Sequence, residues 1–160
     1  MTIAAGIGYD VHRLVPNRPL ILGGVEIPFE LGLLGHSDGD VLAHAVIDAV
    51  IGALGKGDIG GFFSDTDPAY AGESGEALCA ELLARLENET FAIQNIDATV
   101  IAQAPKLAPY IREMGENLSR WLGIPISRVN IKAKTHEGIG TLGRKEGIAA
   151  MAVVLIEREN

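Results

Sequence analysis

Ile96-Asp97-Ala98-Thr99-Val100-Ile101 and, one helical stretch later, Val129-Asn130-Ile131-Lys132-Ala133-Lys134 decide the fold of this chain. The second run sets Val129, Ile131 and Ala133 against Asn130, Lys132 and Lys134, the alternation of a half-buried strand. Between the runs Pro109 opens a helix with Ile111, Met114, Leu118 and Trp121 on its buried face, and Gly123 ends it. A strand, a helix and a strand in this order read as a right-handed crossover between parallel neighbours.

Downstream, Ile148 to Ile156 is apolar on both faces and reads as a central, fully covered strand. Upstream, Ile3 to Leu14 is strand-like despite its glycines. Leu20-Ile21-Leu22 and Val25-Glu26-Ile27 flank Gly23-Gly24, a two-residue hairpin turn that needs positive φ. This hairpin is too small to stand alone and is expected to project from the body. Leu31 to Gly39 reads as a loop. Asp40 to Leu54 has helical periodicity, with Gly55 and Gly57 as its stop. Gly57 to Gly75 is a long polar loop, and Ser74 is placed to cap a second helix with Leu78, Leu82 and Leu86 along one stripe. Three helices and about four longer strands make a layered sheet with helices packed on it.

The 160 residues suit one catalytic domain spanning 1–160. With 48% hydrophobic and 21% charged residues, the chain is expected to be folded and soluble. No apolar run is long enough to span a bilayer, and the first residues lack a basic n-region, so neither a membrane partner nor a signal peptide is expected. The lone Cys79 excludes an intrachain disulfide framework and suits a cytoplasmic protein. A net charge of -8 argues against nucleic acid, although local charge can still hold a small phosphorylated ligand.

Chemistry concentrates near the N-terminus. Asp10 and His12, two apart on a strand, point to one face, and His44 lies on the helix that follows. One carboxylate and two imidazoles form a three-ligand set for a zinc ion with an open fourth position. The helix stacks Asp40, His44 and Asp48 at i, i+4 and i+8, so Asp40 or Asp48 is a candidate to orient His44. Gly35-His36-Ser37-Asp38-Gly39-Asp40 sets polar groups just before a helix N-terminus, which suits a phosphate oxygen, and His36 could stabilise charge or donate a proton. The loop residues Asp58-Ile59-Gly60 and Phe63-Ser64-Asp65-Thr66-Asp67 make either Asx-turns or hydrogen bonds to a polyol. Lys134-Thr135-His136-Glu137 and Gln103-Ala104-Pro105-Lys106 follow the C-terminal ends of parallel strands, where α/β ligands bind. Glu137 is a hard oxygen ligand suited to magnesium.

These pieces resemble the 2-C-methyl-D-erythritol 2,4-cyclodiphosphate synthases of the non-mevalonate isoprenoid pathway. The matching runs are Gly8-Tyr9-Asp10-Val11-His12-Arg13, Gly35 to Ala45, Gly57-Asp58-Ile59-Gly60, Asp65-Thr66-Asp67-Pro68 and Gly143-Arg144-Lys145-Glu146-Gly147. They cover almost the whole chain in the family's order and spacing. The resemblance implies a single-domain α/β fold, an α+β sandwich with a mixed four-stranded sheet, helices on one face and a homotrimer with active sites between subunits. It implies that a substrate 2-phosphate attacks the β-phosphorus of a cytidine diphosphate-linked methylerythritol, releasing CMP in a lyase reaction. Asp10, His12 and His44 would hold zinc. Glu137 would hold magnesium or manganese bridging the diphosphate, and His36 and Thr135 would stabilise the transition state.

By the same resemblance the substrate contacts are Asp10, Val11, His12, His36, Ser37, Asp58 to Gly60, Phe63 to Asp67, Lys134 to Glu137, Thr141 and Arg144. Ala102, Gln103, Ala104, Pro105, Lys106, Leu107, Ala108 and Ala133 would form the cytidine pocket. Ser64, His136 and Thr141 depart from the family's common residues. In some members the position of Thr141 is phenylalanine and, with an arginine matching Arg144, lines an axial channel for an isoprenoid diphosphate. Thr141 weakens the case for that ligand here. The competing expectations are a zinc phosphohydrolase with water as nucleophile and a non-catalytic metal- or isoprenoid-binding trimer.

Overall fold

A computed structural model describes residues 1–159. The first strand, β1 (Thr2–Val15), is followed by the short strands β2 (Leu20–Leu22), β3 (Val25–Ile27) and β4 (Gly32–Leu33). The helices α1 (Val41–Ala53), α2 (Ile59–Phe62) and α3 (Gly75–Arg85) come next. The chain then runs through β5 (Phe91–Ile101), α4 (Ile111–Leu122), β6 (Val129–Lys134), α5 (Gly140–Gly143) and β7 (Gly147–Arg158). Five strands form one mixed sheet in the order β4-β1-β7-β5-β6. Its four long strands are those expected, and the fifth is the two-residue β4 within the stretch read as loop. β5 and β6 pair in parallel across the crossover, and the other sheet contacts are antiparallel.

β5 starts earlier than its alternation suggests. Its register against β7 shifts between Ile93 and Asn95, so Ile93 and Ile96 are both buried although three residues apart. Such a bulge breaks the period-two signal and hides the first half of the strand.

Helix α1 packs on β1 and β7 and also contacts α3, which is why it is buried on nearly every side. Two glycines let it lie against β1. A Cβ on Gly6 would stand 2.0 Å from the Ala49 carbonyl oxygen, and one on Gly8 would stand 1.9 Å from that of Ala45. Helix α4 packs on β6 and α3.

Two expectations are corrected here. The β2–β3 hairpin does not project: Leu20, Leu22, Val25 and Ile27 are buried in the core. Its turn, with φ of 55° at Gly23 and 70° at Gly24, is wedged against Met114 and Trp121 of α4. Nor is β7 covered on both faces in this chain. Met151, Val153 and Leu155 are exposed, and they adjoin the exposed Ile3, Ile7, Tyr9 and Val11 of β1 on the sheet face opposite the helices. No helix among the described residues is long and apolar enough to cross a membrane.

Candidate metal centre and active site

The strand alternation that buries Gly6 and Gly8 also turns Asp10 and His12 toward α1. His44 precedes Ala45, the residue whose carbonyl lies against Gly8, so the close packing of α1 brings its imidazole to the strand. Asp10 Oδ2 lies 2.9 Å from His44 Nδ1 and 3.0 Å from His12 Nε2. The candidate ligand atoms of the three residues all lie within 4.8 Å of one another. Tetrahedral coordination at zinc bond lengths separates ligand atoms by about 3.4 Å, so the two contacts to Asp10 need only slight lengthening to admit a metal ion.

The outer ring nitrogens are engaged as metal-binding histidines require. His12 Nδ1 lies 2.5 Å from the Leu34 carbonyl oxygen, which only accepts, so Nδ1 carries a proton and Nε2, now bonded to the Asp10 carboxylate, is the nitrogen left for a metal. His44 Nε2 pairs with Ser37 Oγ at 2.9 Å. Burial pushes the Asp10 carboxyl up, but hydrogen bonds with His12 and His44 outweigh it and hold Asp10 well below the usual carboxylate range. The Asp10 carboxylate in turn raises His12.

Neither helical carboxylate orients His44, contrary to the stacking argument. Asp40 lies outside the helix as its N-cap. It accepts from Leu42 and Ala43 at 3.1 and 3.0 Å, and from the hairpin N–H groups of Gly23 and Gly24 at 2.9 and 2.8 Å. Asp48 accepts from the Ile59 N–H at 2.9 Å, fixing the start of α2. The partner that the helix-based reading missed is Ser37, seven residues before His44 and brought to it by the turn into α1. Its signal was the glycine-flanked loop leading into α1.

A cavity of about 330 Å³ opens at the cluster, lined by Asp10, His12, His36, Ser37, His44, Ile59, Gly60, Phe63, Ser64, Asp65, Tyr70 and Leu78. Tyr70 and Leu78 are additions to the expected set. His36 Nε2 donates to the Asp67 carbonyl at 2.7 Å, tying the loop before α1 to the loop after α2. The side chain of Asp58 instead caps α2, accepting from Gly61 at 2.9 Å. Val11 lies on the outer face of the sheet, away from the cavity.

The remaining expected residues do not line this cavity. Thr66 and Asp67 stay on the loop after α2, while segment 102–108, Ala133 and residues 134–137 gather around the C-terminal ends of β5 and β6. Gln103 Oε1 accepts from the N–H groups of His136 and Gly138 at 3.3 and 3.2 Å, joining the segment 102–108 to the loop 134–138. Thr135 Oγ1 donates to Glu137 at 3.2 Å, and both are exposed. Arg144 pairs with Glu146 at 2.8 Å, beside Thr141 on α5.

A family model described as the YgbB family matches residues 3–157. The chain belongs to this family. A relative in Burkholderia thailandensis, named 2-C-methyl-D-erythritol 2,4-cyclodiphosphate synthase, is 58% identical over 99% of this chain and 98% of its own. The bifunctional IspDF of Campylobacter jejuni superposes with a TM-score of 0.92 at 41% identity over 99% of this chain, which spans only 43% of that larger protein. An IspF of Plasmodium falciparum, solved as a CDP complex, superposes with a TM-score of 0.84 at 34% identity, covering 99% of this chain and 97% of its own.

Proposed function

We propose that this YgbB-family chain is a 2-C-methyl-D-erythritol 2,4-cyclodiphosphate synthase. The observation that carries the reading is the Asp10, His12 and His44 cluster opening into a cavity of about 330 Å³, in a chain 58% identical to a relative of that name. The substrate is 4-diphosphocytidyl-2-C-methyl-D-erythritol 2-phosphate. An oxygen of its 2-phosphate attacks the β-phosphorus in line, forming a new P–O–P bond. The bond from that phosphorus to the bridging oxygen breaks, and CMP leaves with the oxygen and its electron pair. No water is consumed, so the enzyme is a phosphorus–oxygen lyase.

Asp10, His12 and His44 would hold a zinc ion, and Glu137 a magnesium or manganese ion on the diphosphate. These ions would supply Lewis-acid polarisation and offset charge on the leaving group. The Leu34 carbonyl keeps a proton on His12 Nδ1 and leaves Nε2 for the metal, and Ser37 Oγ is placed to accept from His44 Nε2. His36, steadied by the Asp67 carbonyl, and Thr135 would donate to the phosphoryl oxygens as charge shifts. Asp58, Ile59, Gly60 and Phe63 to Asp67 would bind the methylerythritol. Segment 102–108 with Ala133 would form the cytidine pocket, and the CDP complex of the Plasmodium relative supports a nucleotide subsite.

A homotrimer completes the site in this reading. The exposed apolar face of β1 and β7 is the kind of surface that soluble proteins cover by association. Glu137 and Thr135 do not line the metal cavity of their own chain, which supports their delivery to that of a neighbour.

The test is a product assay with the cytidylated bisphosphate, run with and without chelator. Cyclic diphosphate and CMP, lost on chelation and restored by metal, support the reading. Linear phosphates would show a hydrolase and sink it.

A further inference from the structure

Arg85 closes helix α3 outside the cavity, yet it touches both ends of the segment that forms one cavity wall. Nη1 donates to the Phe62 carbonyl, and Nη2 donates to the Tyr70 hydroxyl. The guanidinium lies 5.1 Å from the ring centroid of Phe63 and 6.0 Å from that of Tyr70. Those rings meet edge to face at 5.3 Å. Glu81, one turn earlier on α3, accepts from Arg85 Nε at 3.0 Å and from the Tyr70 hydroxyl at 3.2 Å, which fixes the orientation of the fork. One planar cation therefore spans the segment from residue 62 to residue 70, a task that suits the guanidinium and that a lysine cannot duplicate.

Between the two anchors lie Phe63, Ser64 and Asp65, which with Tyr70 line the cavity beside the candidate metal ligands. We propose that Arg85 is a positioning residue for substrate binding, holding Phe63 and Tyr70 as a preformed wall against the polyol part of the substrate. The assignment rests on the cyclisation reading. Without the fork the wall must be ordered when substrate binds, and that ordering is subtracted from affinity. In that reading the phosphates are handled by groups on β1, α1, the loop before α1 and the loop after β6, none of which Arg85 touches, so the chemical step is spared.

The test compares the full-length wild type with Arg85→Met and Arg85→Lys. For Arg85→Met, KM should rise about five- to tenfold while kcat stays within about twofold, the signature of lost uniform binding. Arg85→Lys should fall between Met and wild type, because it keeps the charge over the rings and loses the fork. Tyr70→Phe should raise KM less, and combining it with Arg85→Met should add less than its effect alone, because the Arg85–Tyr70 contact is lost only once. A merely structural role would lower the apparent kcat at unchanged KM as folded enzyme is lost, and that pattern overturns the proposal.

Hydrogen–deuterium exchange reads the anchor without substrate. Amides from 63 to 70 should exchange faster in Arg85→Met while those of α1 do not change, and unchanged exchange in the segment overturns the proposal. A wild type that makes no cyclic product would fail the cyclisation reading alone, with exchange still deciding the anchor.

Discussion

Gly8 faces Ala45 so closely that a methyl group on the glycine would stand 1.9 Å from the alanine's carbonyl oxygen. This contact sets the depth at which α1 lies on the sheet, and so the reach of His44 to Asp10. Gly8→Ala must push the helix outward. Overpacking of this kind costs about 3 kcal/mol. Chemical denaturation should show that loss together with reduced metal content, and a stable variant with full metal would refute the link.

Asp40 joins the α1 N-terminus to the hairpin turn through four backbone N–H groups. Asp40→Ala leaves buried donors without an acceptor and removes a cap, each worth about 1–2 kcal/mol. The unfolding midpoint should drop accordingly, and a loss below about 0.5 kcal/mol would contradict the role given to Asp40.

Ser37 holds the outer nitrogen of His44. Removing such a partner weakens metal binding about 10- to 100-fold. Titration of zinc into metal-stripped Ser37→Ala should show that decrease, with His44→Ala losing the site altogether. Equal affinities in wild type and Ser37→Ala would remove the serine from the metal centre.

Cys79 is buried, and burial, with the charges of Asp40 and Glu76, pushes its thiol up to about 12. The unfolded thiol loses its proton near its ordinary value of 9.0. Between these values the unfolded state binds fewer protons than the folded one, so stability falls as pH rises, by about 1.4 kcal/mol per unit. Urea unfolding from pH 8 to 11 should show the wild type losing stability more steeply than Cys79→Ala above pH 9. Parallel curves would exclude the thiol as the cause.

The proposed trimer places Glu137 of one chain beside the metal ligands of another. His44→Ala and Glu137→Ala should each be inactive alone. Mixed subunits, co-expressed in equal amounts, should recover at most about a quarter of wild-type activity, since that share of interfaces then holds two intact halves. No recovery in a mixed oligomer shown to form would mean that each chain completes its own site. Val153→Glu, on the exposed apolar face, should abolish association by light scattering.

The long strands, the three longer helices and the side on which Asp10 and His12 emerge could all be read from the residues, because periodicity and caps are local. Ser74 caps α3 and Gly123 ends α4 with φ of 65°, as their residue types require. Segments without a local period were harder. Gln94 sits where the register of β5 shifts, and β4 is two residues long. The stretch Gly57 to Gly75, read as one long polar loop, holds α2 and a single turn at Pro68–Tyr70, because capping aspartates nucleate both.

The available chemistry is written in the residues alone: a carboxylate and an imidazole on one strand face, a second imidazole on a helix, and polar loops beside glycines. Alternation and helical spacing are properties of neighbouring residues, so they survive without any knowledge of packing. Tertiary structure alone decided which groups meet. It chose Ser37 over Asp40 and Asp48 as the partner of His44, because the helix begins at Val41 and Asp40 is committed to capping. It buried the hairpin, because the turn glycines fit against Met114 and Trp121. It left the outer face of β1 and β7 bare, because α1 packs on these strands from the other side, and apolar area left in water favours association with another chain.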